Sequence, residues 1–197
     1  MKHWARLAVV VILGVAADQA SKAWAVGRLS MPGLSHAPVC GTAAGGRHAV
    51  WQRIPRGDTV VVVRDYLDFQ YAENCGGAFS MFVHQSRALR SFVFLGISML
   101  AVGFIAWMYR NSRESPATVR WALPLVLAGA IGNLLDRMRA GYVVDFIHAH
   151  IRERWHWPTF NVADIAISVG VGLLLLDYVL GRKTTVGAGE ESARPAP

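Results

Sequence analysis

Two aspartates stand where ionisation is expensive. Asp145 falls in Tyr142-Val143-Val144-Asp145-Phe146 and Asp164 ends Phe160-Asn161-Val162-Ala163-Asp164, each beside an apolar run. Two carboxylates close together in a low-dielectric pocket cannot both ionise cheaply, so such a pair shares a proton and titrates as a unit. That is the condition for acid–base hydrolysis, in which the ionised member takes a proton from water while the protonated member polarises a carbonyl. Position alone leaves two other uses open, a proton or ion relay and plain structural pairing. Asn161 and Asp164 are three apart and share a helical face, which also suits an N-terminal cap. Capping does not explain why Asp145 brings a second acid to a similar depth.

Further polar residues interrupt the apolar blocks. Asp18 and Lys22 are one helical turn apart with the acid first, the favourable order for an ion pair, and a structural pair near the outer interface is the plain interpretation. Ser21 beside Lys22 is a poor serine–lysine dyad, because adjacent helical residues point about 100° apart. In Gly132-Asn133-Leu134-Leu135-Asp136-Arg137, Asn133 and Arg137 lie one turn apart with Asp136 adjacent. Arg137 can hold a carboxylate or a phosphate-like headgroup in a bidentate grip, or it can simply snorkel to water. His148, His150, Glu153 and His156 crowd one stretch, yet there is no H-E-x-x-H, and His148 and His150 would need strand geometry to share a face. We expect a wet interfacial loop there and no metal.

These groups need elements to hold them. The chain is 53% hydrophobic, and its apolar residues gather into four blocks, at 4–26, 89–109, 121–138 and 160–180. Each approaches the ~20 residues that a spanning helix requires. The first block also resembles a secretory signal, with Lys2 and Arg6 before the apolar run and Ala23-x-Ala25 after it. Three further spans behind it favour an uncleaved helix. The net charge of +7 comes without a basic stripe or recognition helix, so anionic lipid rather than nucleic acid is the expected contact. Arg110, Arg113 and Arg120 crowd the short 110–120 loop, against Arg139, Arg152 and Arg154 in the longer 139–159 loop, which places both termini in the cytoplasm. In the outer 27–88 loop, Leu67, Phe69 and Tyr71 alternate with Asp68, Gln70 and Ala72, the period of a half-buried strand. Cys40 and Cys75 in this loop allow one bridge at most. The tail from Thr184, rich in Gly, Ala, Glu and Pro, has a disordered composition. The expected fold is an all-α membrane protein of four transmembrane helices, with a small β-rich extracytoplasmic subdomain between helices 1 and 2. One integral-membrane domain would cover 1–183 and a cytoplasmic tail 184–197.

Five patches occur in a fixed order: "DQASK" at 18–22, "NCGGAFS" at 74–80, "GNLLDR" at 132–137, "VVDF" at 143–146 and "WHWPTFNVAD" at 155–164. Together with the four spans they resemble lipoprotein signal peptidase, the signal peptidase II family of bacterial membrane aspartyl proteases. The resemblance covers nearly the whole chain apart from the tail. It implies a catalytic pair of Asp145 and Asp164, with Asn161 orienting a carboxylate or the substrate. Asn133 and Arg137 would line the site and Asp136 would support Arg137. Asp18 and Lys22 would hold the first helix at the pocket edge, and Asn74, Gly76 and Ala78 would border the substrate. The implied reaction is cleavage of a diacylglyceryl-prolipoprotein just before its lipid-modified cysteine, near the outer face of the bacterial inner membrane. It needs no cofactor, and a monomer suffices. Two departures stand out: the 35–56 segment is longer than the family's pattern, and Cys75 and Gly77 stand where Thr and Ala are commoner.

Overall fold

A computed structural model describes residues 2–30, 58–74, 87–152 and 154–191. Four helices dominate it: α1 (Lys2–Leu29), α2 (Arg87–Asn111), α3 (Ala117–Ala140) and α4 (Val162–Glu191). Each contains a stretch long and apolar enough to cross a membrane, at His3–Leu29, Phe92–Asn111, Ala117–Ala140 and Val162–Leu180. Their outward faces carry Phe92, Leu100, Phe104, Leu175 and Val179, all largely exposed in the isolated chain. In water such a surface would aggregate; against hydrocarbon it is the solvent-matched face. The helix α4 continues to Glu191, past Thr184, where the composition changes.

α3 is the central helix and packs against the other three. Apolar side chains gain little by leaving lipid for each other, so close backbone approach and polar contacts must hold the bundle. Small residues supply the approach. A Cβ on Gly129 would overlap the Ala163 carbonyl oxygen and sit 2.7 Å from Ile167 Cγ1, and one on Gly132 would sit 2.5 Å from Asp18 Oδ2. α3 ends at Gly141, whose φ of 78° allows its N–H to return to the Arg137 carbonyl at 3.1 Å. That reversal sends the chain directly into a strand.

The strands β1 (Val60–Val63), β2 (Leu67–Asn74), β3 (Val143–Ile151) and β4 (Trp155–His156) form one antiparallel sheet in the order β1-β2-β3-β4. The alternation at 67–72 therefore marks a real strand. A register shift between Phe69 and Ala72 breaks its period, and so Tyr71, Ala72 and Glu73 are buried in succession. The sheet is not confined to the chain between α1 and α2. β3 and β4 come from between α3 and α4, where a wet loop was expected. The signal was there: Ile147, Ala149 and Ile151 alternate with His148 and His150. The sheet rests on the C-terminal end of α1, where Ala25 and Leu29 pack with Tyr71, Val144 and Phe146. Trp24, Phe69 and Phe146 meet edge to face there, with centroids 5.5 to 6.2 Å apart. Cys40 and Cys75, with any bridge between them, and the long 35–56 segment lie outside the described residues.

The seam around Gly129 has no room for a methyl group, and its nearest neighbour is backbone. Gly129→Ala should therefore cost about 1–3 kcal/mol and lower the thermal unfolding midpoint in detergent. Gly27→Ala meets nothing within 4 Å and should leave the midpoint unchanged or slightly raised.

Candidate active site

β3 carries Asp145 inward, where it is fully buried. The segment leading into α4 is stitched beside it: Phe160 N–H donates to the Ile147 carbonyl at 3.0 Å, and the Ile147 and Phe146 N–H groups donate back to Phe160 O at 2.9 and 3.0 Å. This small bridge delivers Asn161 next to Asp145. Asn161 Nδ2 donates to Asp145 Oδ1 at 2.7 Å, and from β2 Asn74 Nδ2 donates to Asp145 Oδ2 at 3.1 Å.

Asn161 also caps α4. Its Oδ1 accepts the Asp164 N–H at 3.0 Å, and Asp164 Oδ2 accepts the Asn161 N–H at 3.1 Å. That reciprocal pair is a capping box. The capping explanation for Asn161 and Asp164 is thus correct and also incomplete, because the same amide reaches the second acid. A backbone N–H can only donate, so it fixes which end of the Asn161 amide is oxygen and aims the NH₂ at Asp145.

The other oxygen of Asp164, Oδ1, accepts Asn133 Nδ2 from α3 at 2.9 Å. Asn133 is oriented in turn by a cation. Lys22 Nζ, buried on α1, donates to Asn133 Oδ1 at 2.9 Å and is paired with Asp18 and Asp136, each at 2.9 Å. The Asp18–Lys22 pair predicted from spacing exists, and it is buried between helices. Each of its carboxylates reaches a further element. Asp18 Oδ1 accepts the Ala163 N–H of α4 at 2.9 Å, and Asp136 Oδ2 accepts the Val144 N–H of β3 at 3.1 Å.

Asp136 thus pairs with Lys22, while its charge also acts on the adjacent Arg137 guanidinium. The Arg137 guanidinium donates to the Asn133 carbonyl at 3.2 Å and lies within the field of Asp164, Asp145 and Asp136. Gln19 escaped the sequence reading although it stands in the "DQASK" patch. Its amide donates to Asp18 Oδ2 at 3.1 Å and to Asp136 Oδ1 at 3.0 Å, and it accepts from Arg139. Its polar character within an apolar helix was the available signal. Gly76 and Ala78 lie outside the described residues.

One carboxylate of the pair is closed and the other is open. Asp164, half-buried, borders a cleft of about 440 Å³ lined by Trp157, Pro158, Phe160, Ile165 and Val169. Two carboxylates tied to one asparagine, one through its side chain and the other through its backbone N–H, can bind a water beside such a cleft and pass a proton either way. The lining is mostly apolar, so the cleft suits a substrate that carries hydrocarbon.

A family model described as Signal peptidase (SPase) II matches residues 10–180. A lipoprotein signal peptidase from Anaeromyxobacter sp. (strain Fw109-5) is 39% identical, with 98% of this chain and 94% of the relative covered. Another from Clostridium tetani is 32% identical, with 85% of this chain and 88% of the relative covered. A solved bacterial membrane enzyme, determined by the in meso method at 2.3 Å resolution, has the same fold, with a TM-score of 0.62 at 21% identity. It covers 97% of this chain and 94% of its own.

Removing Lys22 alone leaves Asp18 and Asp136 buried without their shared cation. Lys22→Met should destabilise by about 3–5 kcal/mol, the range for breaking a buried pair from one side. Asp18→Asn combined with Lys22→Met should recover part of that loss. Thermal unfolding of the two variants and the parent in detergent checks both the size and the recovery.

Proposed function

The chain belongs to the signal peptidase II family, and on that footing we propose that it is a membrane aspartyl endopeptidase that removes signal peptides from prolipoproteins. It cleaves just before the diacylglyceryl-modified cysteine, with Asp145 and Asp164 activating the water. The observation that carries this reading is the double role of Asn161, whose side-chain amide donates to the Asp145 carboxylate while its backbone N–H donates to the Asp164 carboxylate beside the cleft.

In this mechanism the scissile carbonyl enters from the cleft side, next to Asp164. A water between the two acids loses a proton to the ionised carboxylate as its oxygen attacks the carbonyl carbon. The protonated carboxyl donates to the carbonyl oxygen, and proton return to the leaving nitrogen completes the cleavage. Asn161 and Asn74 hold Asp145, and Asn133 holds Asp164, so neither carboxylate has to reorganise during the reaction. Arg137 offsets the negative charge of the pair. Lys22 acts one step further out by fixing the Asn133 amide, and Asp18, Asp136 and Gln19 hold Lys22.

The substrate's acyl chains favour the bilayer by roughly 0.8 kcal/mol per buried CH₂, so the reaction has to be brought to the lipid. An apolar cleft edged by the exposed Trp157, with Trp155 nearby, suits the headgroup level where indoles settle. We place this end at the outer leaflet of the bacterial inner membrane and both termini in the cytoplasm, with residues 1–183 as one domain working as a monomer. Gly76 and Ala78 belong to the segment assigned to the substrate border.

Asp145→Asn and Asp164→Asn each keep side-chain volume while removing the exchangeable charge. Conversion of a diacylglyceryl-prolipoprotein, followed by gel mobility, should fall at least ~100-fold in either variant. Size-exclusion elution in detergent should match the parent. Ample product from either well-folded variant would rule out the two-aspartate mechanism, and acid-dependent solute flux in its place would favour a carrier.

A further inference from the structure

A second cluster lies on the sheet, away from the two aspartates. His148 and His150 are two apart on β3 and so share one face. Asp68 of β2 stands directly opposite His148, and His156 of β4 stands directly opposite His150. Three adjacent strands therefore present three imidazoles and one carboxylate on one side. His148 and His150 need strand geometry to share a face, and β3 supplies it.

Neighbouring groups orient the imidazoles. His150 Nδ1 lies 3.1 Å from the Arg152 carbonyl, which can only accept, so Nδ1 carries a proton and Nε2 is the nitrogen left to act as a ligand in the neutral ring. That Nε2 is buried and makes no hydrogen bond among the described residues, and Asp68 Oδ2 is 2.9 Å away. A divalent ion held between these two atoms would take both as ligands in place of that direct contact. His148 repeats the pattern. Its Nδ1 faces the same Asp68 oxygen at 3.9 Å, while its Nε2 lies 3.2 Å from His156 Nδ1.

We propose that Asp68, His148 Nδ1 and His150 Nε2 bind a divalent transition-metal ion of the zinc class, with His156 and the Arg152 carbonyl fixing the two imidazoles from behind. The ligand atoms all lie within 4.8 Å of one another. A tetrahedral ion with bonds of ~2.0–2.2 Å sets them ~3.4 Å apart, a shift within reach of side-chain rotation. Two nitrogens and one oxygen select zinc, cobalt, nickel or copper over calcium or magnesium. A ligating histidine ordinarily gives its other N–H to an acceptor, as His150 does to the Arg152 carbonyl, and the other nitrogen of His148 stands 3.2 Å from His156 Nδ1. The fourth position is left for water. The ion would clip β2 to β3, the strands that carry Asn74 and Asp145, but the site stands on its own geometry and does not depend on the proteolytic reading.

The test uses the full-length chain in detergent without a polyhistidine tag, stripped with chelator and titrated with cobalt(II). One equivalent should bind with the intense visible bands of a four-coordinate ion, and zinc should displace it. Zinc should raise the thermal unfolding midpoint of the parent by a few degrees. Asp68→Asn, which preserves shape, and His148→Ala with His150→Ala should each weaken binding at least tenfold and abolish the thermal shift. His156→Ala, which removes a supporting group, should weaken binding ~10-fold while keeping the four-coordinate spectrum. Failure of the parent to bind one equivalent would overturn the proposal. So would binding undiminished in Asp68→Asn and in the double variant, which would place the ion on other histidines.

Discussion

A single buried ammonium organises the interior. Lys22 cannot lie among apolar helices without neutralisation, and the two carboxylates that neutralise it carry surplus acceptors. Asp18 uses one on the first turn of α4, and Asp136 uses one on the backbone of β3. One charge on α1 thereby fixes the relative placement of α3, α4 and the sheet. Its third bond, to Asn133, settles which end of that amide faces Asp164. The cost of burying the cation is offset only when all these partners are present together, so the arrangement is cooperative.

Around this hub the chain separates two tasks. The bundle's outward face is apolar and unspecific, suited to lipid, whereas the helix contacts depend on glycine seams and polar links. The sheet at the end of α1 presents Asp145 from β3 and Asn74 from β2, both held by ladder hydrogen bonds rather than by a loop. A strand sets the depth of Asp145, and a helix N-terminus sets that of Asp164. The two meet through Asn161 because Phe160 bridges β3 immediately before α4 begins. The histidine face of β3 follows from the same strand, since alternate residues must project to opposite sides.

Much of this was legible in local patterns. Four apolar blocks became four helices, the period-two stretch became β2, and the spacings of Asp18 with Lys22 and of Asn161 with Asp164 gave the contacts that one helical turn allows. Less legible was 143–151, where an apolar run of Val143, Val144 and Phe146 hid the strand that its histidines continue. The burial of the Asp18–Lys22 pair and the tie between Asp136 and Lys22 were equally hidden. Spacing says that two side chains share a face but not what that face meets.

By itself the sequence determined the number of spans, the local pairs and, through five ordered patches, the family. Each of these depends on hydropathy and on neighbours within a helical turn or a strand pleat, quantities carried by short windows of chain. Only the tertiary structure decided that Asn161 holds both aspartates, that Lys22 orients Asn133, and that Asp68 faces His148. Those contacts join residues on separate elements, and their geometry follows from strand register, cap conformation and the approach of helices across Gly129 and Gly132. Such contacts form only when several elements are packed at once, and so no single stretch of the chain contains them.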